Sequence, residues 1–593
     1  MARNILNRVL VFNSIYILQI IEIIYLKLIE KLKRKQSVNK STLIIVRNDR
    51  RGKFTTSASN ISGIKCGKTA DEIDVLSFKF YQFLRKYDFQ NQMLYGDIPL
   101  YDLYTRQVKL KLTDTIIATL QLYEWSLSQE NDIEIISDAQ TIEIIRETLS
   151  FLELQIKNIK WKKQYLLTLV ITINSILMRL ASIIINFFSK STLPKTYYKR
   201  RYKDNYPTIL ITLSAKDPKR FFNSYIKKIK HFNIILYSIG ILEDPLEDYE
   251  VINIKIKKKY FSRFLVIFQF LGIKSFIADI LLIHKNHMDL KISTSIVENI
   301  LDNENIDVLL NNEQVKVIDN YFVIHSRKSN ISIISDVFEE IYTCDGAILG
   351  CEANLTRLTK LAISSSSYVI RGVNEFMKYR LFNLKDPETN YIKKLLKLKG
   401  SQNVIFYASD PVKLERQRYD SEFFLINHLS KIDNTCLVVK IHPQDTGKIT
   451  LLAYNNANRP DNVKLIADLA QKENIISPDF NIFPSFNFGA AMSSCDGFIT
   501  SHSSSAMEAL ALKIKIGILD IVDHCNFRPM IKYQGAVLIN GKSSLDYFLK
   551  IKNWRTSHEA LKYYGLDSKK NEHFDLGKNI INMSRLNRIN KKD

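Results

Sequence analysis

The chain has 593 residues, too many for one hydrophobic core, and a prior of about 150 residues per domain implies three or four units. Its 46% hydrophobic and 24% charged residues exclude wholesale disorder, and its six cysteines, with no CxxC pair or metal-ligand spacing, exclude a disulfide framework and fit free thiols in a reducing compartment. With 84 basic against 61 acidic residues the net charge is +23, which calls for an anionic partner: a lipid surface, a nucleic acid or a phosphorylated substrate.

Residues 1–35 read as an apolar helix with a basic end. Val9 to Ile29 is interrupted by Asn13, Gln19 and Glu22 and runs into Lys31, Lys33, Arg34 and Lys35. A carboxylate at mid-bilayer is costly and no cleavage site follows, so the pattern suits a helix in a membrane interface, or one buried in the fold, better than a span. Residues 36–160 open an α/β domain, with strands expected at Ser41–Arg47 and Asp132–Ser137 and a helix from Ala139. Residues 161–203 form an apolar helical insertion. Tyr165 to Phe188, broken by Asn174, Ser175 and Arg179, ends in basic residues from Lys195 to Lys203 and reads like the first segment.

From 204 to 385 strands and helices alternate: strands at Thr208–Leu213, Asn233–Tyr237, Gly346–Gly350 and Ser367–Arg371, and a helix at Pro218–Lys230. A linker, 386–402, leads to a second unit, 403–550. There strands are expected at Asn403–Tyr407, Thr435–Lys440, Asp496–Thr500 and Ile514–Leu519, and helices at Ser421–Ile432 and from Ser505. Residues 551–593 read as a C-terminal helix and basic tail. The fold class expected is α/β: two Rossmann-like domains facing a cleft, with ligands at the carboxyl ends of the strands, plus the two apolar helical segments.

Two sites carry chemistry. Lys440, His442 and Pro443 end a buried strand; Pro443 fixes the turn and disfavours helix at His442, so an imidazole is held at a loop mouth where it can bond or protonate a phosphate oxygen. A histidine that merely ends a strand is the plain alternative. The second site is the turn Ser501, His502, Ser503, Ser504 entering a helix at Ser505. Hydroxyls, free N–H groups and the positive helix end make a phosphate cradle there. Ser505 and Glu508 have capping-box spacing, which assigns them mainly to the helix end and leaves Ser503 and Ser504 for a ligand.

His442-Pro443 about sixty residues before Ser503-Ser504, with SSSAMEALAL and then GILD, resembles the GT-B-fold glycosyltransferases of bacterial capsule and lipopolysaccharide synthesis, polysialyltransferase- and Kdo-transferase-like in style. The likeness spans roughly Asn403 to Asp520 and departs where relatives carry Gly and Pro and this chain has Lys513, Ile514 and Lys515. It implies a nucleotide-sugar-binding domain at 403–550 and an acceptor domain at 204–385. It places the donor phosphate on His442, the nucleotide phosphate on Ser503-Ser504 and the base near residues 478–488, with Ser505 and Glu508 alongside. It implies a catalytic carboxylate, for which Glu352 and Asp345 are candidates, and an anion-binding Arg371 where relatives show Gln-His-Gly. It implies no metal and no cofactor beyond the donor itself, since helix dipole, hydroxyls and a basic side chain can neutralise the leaving nucleotide. The acceptor would be a polysaccharide or lipid-linked sugar, and the protein cytoplasmic and peripheral on the inner face of the membrane.

A polyol-phosphate transferase of the teichoic-acid type and a sugar-nucleotide 2-epimerase share the expected fold. Outside that class stand a degenerate transferase acting as scaffold and a non-catalytic basic binding protein. No specific nucleic acid is expected, because the lysine runs at 31–35, 227–230 and 255–259 lack interleaved aromatics or a reading motif.

Overall fold

The computed structural model describes residues 41–48, 53–56, 66–68, 70–86, 93–95, 98–130, 133–157, 159–163, 165, 168–169, 172–173, 176, 196–200, 206–213, 229, 231–238, 249–254, 262–264, 273, 276–277, 281, 290–311, 314, 317–337, 342–360, 367–371, 390–400, 402–409, 415–440, 461–468, 481–483, 487–521, 527–567 and 574–590. The apolar segment 9–29, residues 177–188 of the second one and nearly all of the expected helix 218–230 lie outside them.

The first strands are β1 (Ser41–Asn48), β2 (Lys53–Thr56), β3 (Met93–Tyr95), β4 (Ile98–Pro99), β5 (Ile133–Ser137) and β6 (Ile159–Lys163). Next come β7 (Thr196–Arg200), β8 (Thr208–Leu213), β9 (Asn233–Ser238), β10 (Tyr249–Asn253), β11 (Ser262–Phe264), β12 (Val308–Asn311), β13 (Ser332–Val337), β14 (Gly346–Leu349) and β15 (Ser367–Ile370). The last seven are β16 (Asn403–Ala408), β17 (Thr435–Lys440), β18 (Val463–Asp468), β19 (Asn481–Phe483), β20 (Gly497–Thr500), β21 (Ile516–Leu519) and β22 (Val537–Ile539).

Two large sheets organise the chain. One has eight strands in the order β10-β7-β9-β8-β12-β13-β14-β15, parallel from β9 through β15; the other has seven parallel strands in the order β19-β18-β17-β16-β20-β21-β22. Their inner strands are continuous aliphatic runs such as TILITL and TCLVVK, buried on both faces as a parallel sheet between helices requires. Leu210, Ile235, Leu309 and Ile333 enter one core, while Ile209, Ile234, Leu310 and Ile334 enter another on the opposite face. The second sheet divides likewise, Phe406, Val438 and Phe498 against Ile405, Leu437 and Ile499. Both are Rossmann-like, and the fold is the α/β, GT-B-like class expected.

Beside these two sheets lies a third layer, of which the sequence indicated two strands, at 41–47 and 132–137, and the helix from 139. The strands before residue 164 form their own four-stranded sheet, β2-β1-β5-β6, and β3 and β4 join β11 in a three-stranded one. The helices Ala70–Lys86 and Thr105–Leu127 put Phe78, Tyr81, Leu112 and Ile116 into the same core as Leu210 and Ile333, fusing this layer to the eight-stranded sheet. The expected helix at 139 is Ala139–Phe151, capped by Asp138, whose carboxylate accepts the Thr141 N–H at 2.9 Å. Within 386–402 the chain forms the helix Tyr391–Leu395 and buries Ile392 in the second unit's core. The C-terminal helix, Leu576–Asn590, returns to the first sheet, where Leu576, Ile580 and Met583 pack on Ile209, Ile211 and Ile348.

Candidate functional site

In the seven-stranded sheet the chain runs outward from β16 through β17, β18 and β19, then returns to the other side of β16 at β20. The order therefore reverses between β16 and β20, and in open α/β sheets the crevice beyond the carboxyl ends at such a point is where ligands bind. The residues at that edge follow from register. Ala408 is paired with Lys440 on one side and Thr500 on the other, so all three share one face at the edge, with Lys440 and Thr500 two strand spacings apart, or ~10 Å.

Thr500 ties the edge together. Its hydroxyl donates to the Ala408 carbonyl at 3.2 Å and accepts the Ser503 N–H at 3.2 Å, folding the serine turn back over the strand ends. Ser501 is 2% exposed, and its hydroxyl has no hydrogen-bond partner among the described residues. Leaving a buried hydroxyl unmet costs about 1–3 kcal/mol, so this group is poised to gain from a bound acceptor or donor. Lys440 is half-buried with its ammonium 4.8 Å from the Phe488 ring centroid, and its carbonyl accepts the Ser409 N–H at 3.0 Å. Phe488 begins the helix Phe488–Ser493, capped by Asn487, at the end of the stretch expected near a nucleotide base.

The helix expected from Ser505 is Ser505–Ala511, but its start differs from the expectation. Ser504, exposed and αR, is the N-cap and makes no side-chain cap bond, and Ser505 is the first helical residue instead of the cap that a capping box would make it. Ser503 closes the turn instead: its hydroxyl accepts the Ser505 N–H at 3.3 Å and donates to the Ser505 hydroxyl at 3.0 Å. Carbonyls of Ser503 and Ser504 take the N–H groups of Ala506 and Met507. The N–H groups of Ser503, Ser505, Ala506 and Met507 are thus already engaged, and what the edge offers is side chains: the Ser501 and Ser503 hydroxyls of the turn and, two strands across, Lys440 of β17. Glu508 is buried on that helix. One strand further on, Asp520 is buried at the end of β21 with Arg528 3.8 Å away, a pair the sequence reading passed over. His442 and Pro443 lie outside the described residues.

The first unit's candidates are placed differently. Asp345 sits at the amino end of β14, where its carboxylate accepts the Ile333 N–H at 2.9 Å and its own N–H donates to the Ile333 carbonyl at 2.8 Å. Asp307 holds Thr208 and Asp496 holds Val404 in the same way. These three carboxylates clamp neighbouring strands at the ends opposite the ligand-binding edge. Glu352 lies beyond the carboxyl end of β14 as the exposed first residue of the helix Glu352–Lys360, a position the helix dipole favours for a carboxylate. Arg371 is buried, with its guanidinium 2.5 Å from the Asp336 carboxylate and 5.2 Å from the Phe574 ring, so its charge is met within the fold. Asp345 and Arg371 are therefore engaged within the first unit, and Glu352 is the exposed one of the three.

No family model matches the chain, and no curated protein matches it. Among solved structures it is similar to the S. aureus MnaA-UDP co-structure (TM-score 0.40, 10% identity, 65% of this chain and 97% of that one). It is also similar to a UDP-N-acetylglucosamine 2-epimerase from Rickettsia bellii (0.39, 13%, 65% and 99%) and to a glycosyltransferase from Rickettsia africae ESF-5 (0.36, 13%, 65% and 98%).

Proposed function

We propose that this chain is a metal-independent glycosyltransferase that moves a sugar from a nucleotide-sugar donor to a surface polysaccharide or lipid-linked acceptor. The observation that supports it most is the reversal of strand order between β16 and β20, with Lys440, Ser501 and Ser503 gathered at the carboxyl edge. A cation and hydroxyls at such an edge suit a phosphate ester bearing a polyhydroxy group. In the proposed reaction the acceptor hydroxyl oxygen attacks the anomeric carbon and the carbon–oxygen bond to the nucleotide phosphate breaks. Exposed Glu352 takes the acceptor proton, while Lys440 and His442 meet the charge of the departing nucleotide. Asp345 has no part in this scheme, being spent on strand pairing.

A product assay with radiolabelled nucleotide sugars, run with and without oligosaccharide acceptor, tests the reading. Label moved to the acceptor supports it. Label that stays on the nucleotide but changes sugar identity without acceptor would make the protein an epimerase, and no turnover with no binding would remove it from both classes.

A further inference from the structure

The eight-stranded sheet reverses its order as well. From β8 the chain steps to β9 on one side and later resumes at β12 on the other, so the carboxyl end of β8 is a second place where open α/β sheets take ligands. Register sets four polar side chains in a row there. Tyr237, Thr212, Asn311 and Ser335 are successive Cα partners across β9, β8, β12 and β13, each within the last three residues of its strand. By alternation they share the face of Leu210, Leu309 and Ile333. The row spans three strand spacings, ~14 Å.

The fold does not use up the polar atoms of this row. All four residues are at most 3% exposed. The Asn311 amide nitrogen donates to the Thr212 hydroxyl at 3.1 Å, but Asn311 Oδ1 and the hydroxyls of Tyr237 and Ser335 have no hydrogen-bond partner among the described residues. Ser293, fully buried, adds a fourth unmet atom in its hydroxyl. It shares a face of the helix Leu290–Asn303 with Ile296, Val297 and Ile300, which pack in the same core. That helix leads back to the amino edge, where the Asp307 N–H donates to the Thr208 carbonyl at 2.9 Å. Its first turn, ~15 Å further along, therefore lies over the carboxyl end of β12. Buried polar groups are nearly always met, so four unmet ones on one side of a sheet point to a ligand that supplies their partners.

The chemistry of the row suits a ligand without charge. Hydroxyls give and take hydrogen bonds, and the amide oxygen takes them, which matches the hydroxyls of a sugar ring. Burial and the Asp319 carboxylate raise the Tyr237 phenol well above its ordinary range, so it stays protonated and able to donate. Asp319 is itself buried in the first turn of the helix Val317–Lys328, and a carboxylate there repels an anion. Arg371 serves the other face of the sheet: its partner Asp336 alternates with Ser335 along β13, and its guanidinium stands by Phe574. We propose that this row holds a neutral, hydroxyl-rich sugar, so that the acceptor is an uncharged sugar and neither an acid-bearing sugar nor a polyol phosphate. The inference rests on the transferase reading and adds to it the class of acceptor. Glu352, beyond the carboxyl end of β14, stands on the same edge of the sheet.

The test is saturation-transfer NMR on the full-length protein with the methyl glycosides of glucose, galactose and N-acetylglucosamine, with N-acetylneuraminic acid and with glycerol phosphate. At least one neutral glycoside is expected to bind, and Tyr237→Phe/Ser335→Ala to weaken it about tenfold or more. The variant should melt no lower than the wild type, because the hydroxyls it removes make no bond in the free fold, and should keep nucleotide-sugar affinity. Binding of nucleotide sugars without binding of any neutral glycoside would overturn the inference and leave the transferase reading standing. Loss of nucleotide-sugar affinity in the variant would give the row to the donor, and a lowered melting temperature would give its hydroxyls to the fold; either result overturns the inference. So would an anionic probe whose binding the variant weakens, or a neutral glycoside whose binding it leaves unchanged.

Discussion

Ser501 carries a two-sided consequence. Its buried hydroxyl has no partner among the described residues, so Ser501→Ala should raise the stability of the free protein by about 1 kcal/mol while lowering affinity for a nucleotide sugar. Urea unfolding and calorimetric titration read the two effects separately, and a fall in both would mean that the hydroxyl serves only the fold. Arg371 offers the opposite case. Arg371→Met leaves the Asp336 carboxylate buried without its cation and should cost about 3–5 kcal/mol of stability; a variant that unfolds at the wild-type urea midpoint would show the pair to be dispensable. Burial also pushes the Cys351 and Cys436 thiols up to about 11. In the unfolded chain such thiols ionise near pH ~8.5, so the folded state holds the extra protons above that value. The stability they contribute is full below pH ~8.5 and is lost as pH rises toward 11. Cys351→Ala/Cys436→Ala should therefore show a flatter fall in unfolding free energy between pH 8 and 10 than the wild type, and an unchanged slope would refute the assignment.

At the scale of elements, two features govern how the second sheet is built. Gly497 and Gly517 let the buried Phe548 of the helix Lys542–Lys550 press directly on β20 and β21. A Cβ on Gly517 would stand 2.5 Å from the Ile539 side chain and 3.3 Å from Phe548, and one on Gly497 would stand 2.9 Å from Phe548. Gly517→Ala should therefore cost about 1–3 kcal/mol through overpacking, read as a lowered melting temperature. The second feature is the aspartate clamp repeated at Asp307, Asp345 and Asp496. Its recurrence explains why Asp345 resembles a catalytic acid in sequence: an acid just before a buried strand looks the same whether it serves a substrate or a neighbouring strand. Long aliphatic runs, by contrast, leave little choice. Thr208–Leu213 and Thr435–Lys440 were legible to the residue because a run buried on both faces fits only a parallel strand. The start of the helix Ser505–Ala511 was legible in position but not in bonding. Thr500 takes the Ser503 amide and Ser503 takes the Ser505 amide, which makes Ser505 the first helical residue and not the cap, and only the turn geometry shows this.

For the whole molecule, alternating strands and helices were enough to read two Rossmann-like units, whereas the four-stranded layer was legible only as two of its strands and the helix from 139, not as a sheet of its own. Its long helices Ala70–Lys86 and Thr105–Leu127 mix polar with apolar residues, and they pack both on nearby strands (Leu122 and Trp125 with Ile133 and Ile135) and, through Ile116 and Leu112, in the core of a distant sheet with Leu210 and Ile333. The return of the C-terminal helix to the first sheet was equally invisible, because its apolar residues name no partner until the chain is folded. What the topology adds is the order reversal beside β16, which singles out one edge of the second sheet and puts Lys440, Thr500 and the serine turn on it. The most direct test is a thermal-shift panel of CMP-, UDP-, GDP- and CDP-sugars on the wild type and on Lys440→Met. A phosphate ester gripped at that edge stabilises the folded form alone, so one nucleotide class should raise the wild-type melting temperature, and Lys440→Met should weaken its apparent affinity by about tenfold or more. No shift with any nucleotide sugar, or a shift that Lys440→Met leaves untouched, would contradict the account.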